Sequence, residues 1–266
     1  MLSKSSLLTI VLVLSSLAAA EQKPKQLSLP DGTVQSDGVT TCDVTYTSGT
    51  SVTTTQFCVT VNGNIPKFSV ATEQMMGIAE GYGLCDMTSS TSYYDYGGYD
   101  SGNWGPATFT HSGNTITVKR TTTDGNWMLT QTIKNEEASA AGFGSAKISM
   151  KYQNLSGTTR QAEVIRYADV DANSDFTNHF DTTSTTAIGL DGDFQHGLLI
   201  SNNTFNNSYG YLTGVLDIAG IPDPCDPFHF LPPSLPYVGD GSILAMWSFR
   251  LAHKASATVT GTYTGI

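Results

Sequence analysis

Apolar and polar residues alternate one by one along most of this chain, and that period of two is what most constrains its fold. Ile116 and Val118 alternate with Thr115, Thr117 and Lys119, and Trp127, Leu129 and Ile133 share one parity. Ile148, Met150 and Tyr152 alternate with Lys147, Ser149 and Lys151, and a further strand is expected from Gln161 to Asp171. Ala245, Trp247, Phe249 and Leu251 alternate with Met246, Ser248 and Arg250, and Val259, Gly261 and Tyr263 alternate with a row of threonines. Successive side chains of a strand point to opposite faces, so each run collects its apolar set on one face. Threonine on the other face suits a pleated surface, because its branched β-carbon is at home there. Turn signals separate the runs, at Asp124-Gly125 and from Asn154 to Thr158. The best stretch for a helix, Thr72 to Ala79, is interrupted by Gly77 and followed by Gly81 and Gly83. The expected class is therefore all-β: a large antiparallel β-sandwich, in one part or as a two-part supersandwich, with long irregular loops.

The first twenty residues read as a secretory signal peptide. Lys4 supplies the positive start, Leu7 to Leu17 is apolar except for Thr9, Ser15 and Ser16, and Ala18-Ala19-Ala20 offers a small-residue cleavage site. That apolar run falls short of the ~20 residues a membrane span needs, so no membrane insertion is expected. Residues 21–38 read as a flexible polar arm, and residues 39–266 as a single β-sandwich domain. Four cysteines follow the leader: Cys42, Cys58, Cys85 and Cys225. An even count in an exported chain, with no C-x-x-C spacing, suggests two disulfides. Cys42 and Cys58 flank a hairpin with its turn at Ser48-Gly49-Thr50, which would leave Cys85 to pair with Cys225. Strand parity argues against that arrangement, since Cys42 runs with Val44 and Tyr46 whereas Cys58 alternates against Phe57 and Val59. The connectivity therefore stays open between a bulged version of this pairing and another. A secreted protein, extracellular or periplasmic, is expected. Asn154, Asn202 and Asn206 each fit the glycosylation pattern.

Charge narrows the partners. With 13 Lys+Arg against 23 Asp+Glu the formal charge is −10. Phosphate backbones need a clustered basic surface, so the balance argues against nucleic acid as a partner.

Two segments break the alternation. Ser89 to Gly105 is rich in Tyr, Gly and Asp. Tyr94, Tyr96, Tyr99 and Trp104, with Asp100 and Asn103, read as a ligand site, because aromatic faces meet the C–H faces of sugars while carboxylates and amides bond hydroxyls. The alternative is a loop packing its own aromatics on the sandwich. Ile221 to Tyr237 carries six prolines, which cannot donate to a ladder, so it reads as a long loop. The sharpest chemical signal is Asp169, Asp171, Asn173 and Asp175, oxygen donors at alternate positions that resemble the start of an EF-hand-type calcium loop. Ser174 stands where that loop has its glycine, and Phe180 stands at the twelfth position, so the expectation is a non-helical calcium loop or a plain polar turn. Arg166 sits among apolar neighbours and calls for a carboxylate partner from another strand, which points to a structural ion pair. For acid–base chemistry the candidates are His179 and His196 with Asp181 and Asp191. No G-x-S-x-G elbow or phosphate-binding glycine loop occurs.

These features favour a secreted, non-catalytic binding or surface module that takes an extracellular glycan, with calcium as the one cofactor suggested. Two alternatives stand beside it: a purely structural exported protein, and a carbohydrate-active enzyme of the epimerase, lyase or hydrolase type.

Overall fold

A computed structural model describes residues 41–49, 54–77, 79–137, 142–204, 209–217 and 221–266. The expected signal peptide, the expected N-terminal arm and the glycosylation pattern at Asn206 lie outside them. The described chain forms eighteen strands in three antiparallel sheets, with one 3-10 turn at Ala172–Ser174. The first sheet is β1 (Val44–Ser48), β2 (Thr55–Val59), β3 (Lys67–Val70) and β4 (Glu73–Gln74), a plain meander. The second has nine strands. In spatial order they are β16 (Tyr237–Gly239), β12 (Asn178–Thr182), β13 (Thr186–Leu190), β14 (Gly197–Asn202), β18 (Ser256–Gly265), β10 (Ser145–Asn154), β9 (Trp127–Glu136), β8 (Thr115–Thr121) and β7 (Thr108–Ser112). The third is β15 (Gly210–Leu216), β17 (Gly241–Leu251), β11 (Arg160–Val170), β5 (Glu80–Asp86) and β6 (Thr91–Asp95). The helix-like stretch after Thr72 instead supplies the short β4.

The period-two pattern becomes the core. Trp127, Leu129 and Ile133 of β9, Ile148, Met150 and Tyr152 of β10, and Val259 and Tyr263 of β18 all turn inward. They meet Val164 of β11 and Ala245, Trp247 and Phe249 of β17 across the sandwich, and Phe57, Phe68 and Val70 of the small sheet join the same cluster. Each large apolar side chain buried in full contributes about 1.5–3 kcal/mol, so this layer is the main source of stability. One charge pair is sealed inside it. Arg166 of β11 binds Glu80 of the neighbouring β5 and donates to Gln131 Oε1 at 2.9 Å, with its guanidinium 5.8 Å from the Tyr263 ring. Burial pushes the Glu80 carboxyl upward and the Arg166 charge pulls it back.

The five-stranded sheet is covered on its other face as well. There Ile165, Tyr167, Leu216 and Leu244 form a second cluster with Tyr96, closed over by Ile221, Phe228 and Phe230. The tyrosine-rich loop and the proline-rich segment thus lie together on one face. Tyr96 donates from its hydroxyl to the Pro222 carbonyl at 3.1 Å, and Cys85 of β5 is bridged to Cys225. Gly83 makes this approach workable, because a side chain there would collide with Pro224 and with the Tyr96 hydroxyl. The other disulfide joins Cys42 to Cys58. Parity does not forbid it, because Cys42 precedes β1: the ladder begins at Val44 opposite Val59, and Asp43 bends to donate to the Val59 carbonyl.

Asn154 and Asn202 are both buried, in contrast to what their glycosylation patterns allow. Asn154 Nδ2 donates to the carbonyls of Thr158 and Leu251, and Asn202 Oδ1 accepts from the Trp247 indole at 2.9 Å.

Candidate functional site

The acidic stretch sits where β11 leaves its sheet. Asp169 pairs with Ser242 and Val170 with Gly241, and one more step of that register faces Asp171 with Asp240, the single residue between β16 and β17. Asp169 and Asp171 share a parity, so the three carboxylates converge, with one oxygen from each lying within 4.8 Å of the others. Like charges directly opposite one another destabilise a sheet. Asp171 is 9% exposed and its Oδ1 has no hydrogen-bond partner. Burial, and then the charges of Asp240 and Asp175, push its carboxyl up to about 6. The Gly77 N–H donates to the Asp169 carbonyl at 3.0 Å, and any side chain at Gly77 would run into Oδ2 of both Asp169 and Asp171. This cluster could hold a metal ion. Of the four residues read from the sequence, Asp169 and Asp171 are in it. Asn173 is exposed on the 3-10 turn at φ 59°, and Asp175 is exposed and accepts from the Thr177 N–H at 3.0 Å. Asp240 was not visible in the sequence, since no local pattern ties it to residues some seventy positions earlier.

Most of the aromatic loop is built into the fold. Tyr96 is fully buried and stacks on Tyr94 with ring centres 5.3 Å apart. Trp104 is 5% exposed, set edge-on to Tyr82 at 5.6 Å. Arg120 of β8 ties the loop down. It binds Asp95 at 2.5 Å, Asp100 at 3.3 Å, the Tyr82 hydroxyl at 2.9 Å and the Gly105 carbonyl at 2.9 Å. Burial, and then the Asp100 charge, push the Asp95 carboxyl up to about 7 against the pull of Arg120. Asn103 donates to the Ser92 carbonyl at 2.8 Å. Tyr94, Tyr99, Asp100 and Asn103 keep part of their surface in solvent.

His179 and His196 flank the same turn, since His179 of β12 pairs with Leu190, the last residue of β13. His196 and Asp191 come together in the turn after β13, Nδ1 to Oδ2 at 3.4 Å, while Asp191 also accepts from the Gln195 N–H at 2.8 Å. His179 lies on the exposed Phe194, ring centres 4.2 Å apart, and Asp181 is exposed and accepts from the Thr182 N–H.

A groove of about 460 Å³ runs between β15, the edge strand of the five-stranded sheet, and the proline-rich segment. Leu212, Phe228, Leu231, Pro232 and Leu235 form its apolar walls. Thr182, Thr213 and Ser234 also line it, but the Thr182 hydroxyl donates to the Thr186 carbonyl at 2.9 Å and the Thr213 hydroxyl to the Thr183 carbonyl at 2.7 Å. Gly214 admits the Phe228 ring, which would otherwise meet a side chain at 2.9 Å. Leu231 and Leu235 remain 57% and 44% exposed. Sequence reasoning flagged the proline-rich segment as a long loop but not this groove, because its opposite wall comes from β15 and β12. Among the described residues no helix is long and apolar enough to cross a membrane.

No protein-family model and no curated protein matches the sequence. Solved structures do resemble it in shape. A bacterial glucoamylase complexed with acarbose aligns with a TM-score of 0.56 at 10% identity, over 85% of this chain and 32% of that one. An aldose 1-epimerase candidate from Escherichia coli K12 aligns with a TM-score of 0.46 at 9% identity, over 84% and 99% of the two chains. A heparan sulfate lyase mutant from Pedobacter heparinus gives 0.44 at 7% identity, over 83% and 34%. The chain thus spans about a third of the glucoamylase's length. At this identity the likeness shows a shared antiparallel β-sandwich fold and nothing finer.

Proposed function

We propose that this protein is a secreted, non-catalytic binding module that takes a glycan in the groove beside the proline-rich segment, and that its acidic cluster holds calcium. The observation that carries the reading is the groove itself. Its volume of about 460 Å³ falls in the range of small-ligand sites, and its walls are apolar with a few hydroxyls, the usual make-up of such sites. Apolar walls suit the C–H faces of a sugar, and the exposed Ser234 offers a hydroxyl for orientation. Tyr99 and Asp100, on the accessible part of the aromatic loop, are a second contact area of the same chemistry. Two disulfides fit an oxidising compartment, where extracellular glycans are met. The fold shared with part of a glucoamylase agrees with a glycan partner, as analogy only. Calcium suits the cluster because it takes six to eight hard oxygen ligands, and three carboxylates here bring one oxygen each to a common point.

The test is retention of the oxidised chain on a panel of polysaccharides, with soluble products scored in parallel. The expected outcome is saturable retention without new reducing ends or unsaturated products. Leu231→Ala and Ser234→Ala should weaken it several-fold at unchanged melting temperature. Undiminished retention in both variants would remove the groove from the account, and released products would make the protein an enzyme.

A further inference from the structure

The acidic cluster lies at a junction that the linear Asp169–Asp175 pattern does not reveal. Asp240 is the one residue between β16, an edge strand of the nine-stranded sheet, and β17, which belongs to the five-stranded sheet. Asp169 and Asp171 belong to the end of β11 and the residue just beyond it. A cation shared by the three therefore joins the strand that turns from one sheet into the other to the strand beside it. One observation points to a ligand beyond the gathering of charge. Asp171 is 9% exposed, yet its Oδ1 has no hydrogen-bond partner. The glycine backbone at residue 77 stands where any side chain would run into Oδ2 of both Asp169 and Asp171.

The same junction anchors the groove wall. The Tyr237 hydroxyl donates to the Asp240 carbonyl at 3.3 Å and also bonds the Asp217 carboxylate. The Asp217 N–H donates to the Phe230 carbonyl at 2.7 Å. Asp217, which precedes the proline-rich segment, thus fastens both its middle, at Phe230, and its last residue, Tyr237, and Asp240 is the next anchor beyond them.

We infer that Asp169, Asp171 and Asp240 form one calcium site that closes across the junction of the two sheets and holds the proline-rich wall of the groove in place. The inference rests on the calcium reading above but not on the glycan reading. Asn173 and Asp175 are not ligands in it. Waters complete the shell on the open side, at Asp240, which is exposed.

The experiment is thermal melting of the oxidised full chain in calcium chloride and in EDTA, with magnesium chloride as the control for a smaller ion that demands octahedral geometry. Binding to the native state alone raises the melting temperature with ligand concentration. Calcium should raise it by several degrees and magnesium by much less. Asp240→Asn and Asp171→Asn should abolish the calcium shift, whereas Asn173→Ala and Asp175→Asn should keep it. Asp240 is exposed, so its variant is expected to fold, and far-ultraviolet circular dichroism checks that. Limited proteolysis gives the second readout: calcium should slow cleavage within residues 221–236 in the wild type and not in Asp240→Asn. Identical melting in calcium and EDTA, or a shift that survives Asp240→Asn but is lost in Asp175→Asn, would overturn the site. Cleavage rates indifferent to calcium would overturn its hold on the wall. Silence on the polysaccharide panel alongside an intact calcium shift would sink the glycan reading alone.

Discussion

Arg120 and Trp104 show how much of the aromatic loop is architecture. Trp104 packs edge-on to Tyr82 while Arg120 spans Asp95 and Asp100 beneath it. Truncating a buried tryptophan leaves a cavity, so Trp104→Ala should cost about 3–5 kcal/mol in denaturant unfolding. Glycan retention lost at undiminished stability would instead return this ring to the ligand surface. Asp95 gives a pH signature. Its carboxyl, pushed up to about 7 chiefly by burial and then by Asp100, binds a proton more readily folded than unfolded. Between about pH 4 and pH 7 the native state then holds the extra proton, so this group's contribution to stability falls as pH rises and levels off above 7. Asp100→Asn removes the like charge and should flatten that slope. Melting temperatures of the two proteins from pH 4 to 8 should diverge in the variant's favour up to about pH 7, and a constant difference would contradict the assignment. At this scale the sequence was legible where a pattern was local. Asp169 and Asp171 stood out by their alternation, and Arg166 by its apolar neighbours. Which tyrosines would be buried was not legible, because the surface that covers Tyr96 comes from Pro222, far along the chain.

At the scale of elements, the strands were the most readable feature, since alternation and threonine-rich faces specify both the strand and its inward side. The inward parities of β9, β10, β18 and the second half of β17, from Ala245 to Leu251, follow that pattern. Strand β5 and the second half of β11 did not announce themselves as buried on both faces, because the cover is irregular chain. The disulfide from β5 to that cover is the corresponding lever. Cys85 and Cys225 close a loop with a sequence separation of 140, and a chain-entropy estimate for such a loop is about 5 kcal/mol, against about 3 kcal/mol for the separation of 16 between Cys42 and Cys58. The double variant Cys85→Ser/Cys225→Ser should therefore lose more stability than Cys42→Ser/Cys58→Ser in denaturant unfolding. It should also weaken glycan retention, because Cys225 fastens the groove wall to the sheet. Equal losses would mean that the wall stands without its bridge.

For the whole molecule, three sheets share one inner core, and a second, smaller cluster lies outside the five-stranded sheet under two irregular segments. The inner core makes the fold, and the outer cover makes the groove. The acidic cluster sits at the junction of the sheets, next to the anchor of that cover. Long-range meetings of this kind, such as Asp171 with Asp240 or β15 with the proline-rich segment, escape a reading that moves along the chain. The most direct measurement is retention on a polysaccharide panel by the oxidised wild type and Leu231→Ala, in calcium and in EDTA, with products assayed in the same samples. The account predicts saturable, product-free retention that is strongest in calcium and falls several-fold in the variant. Release of products, or no retention on any polysaccharide, would contradict it.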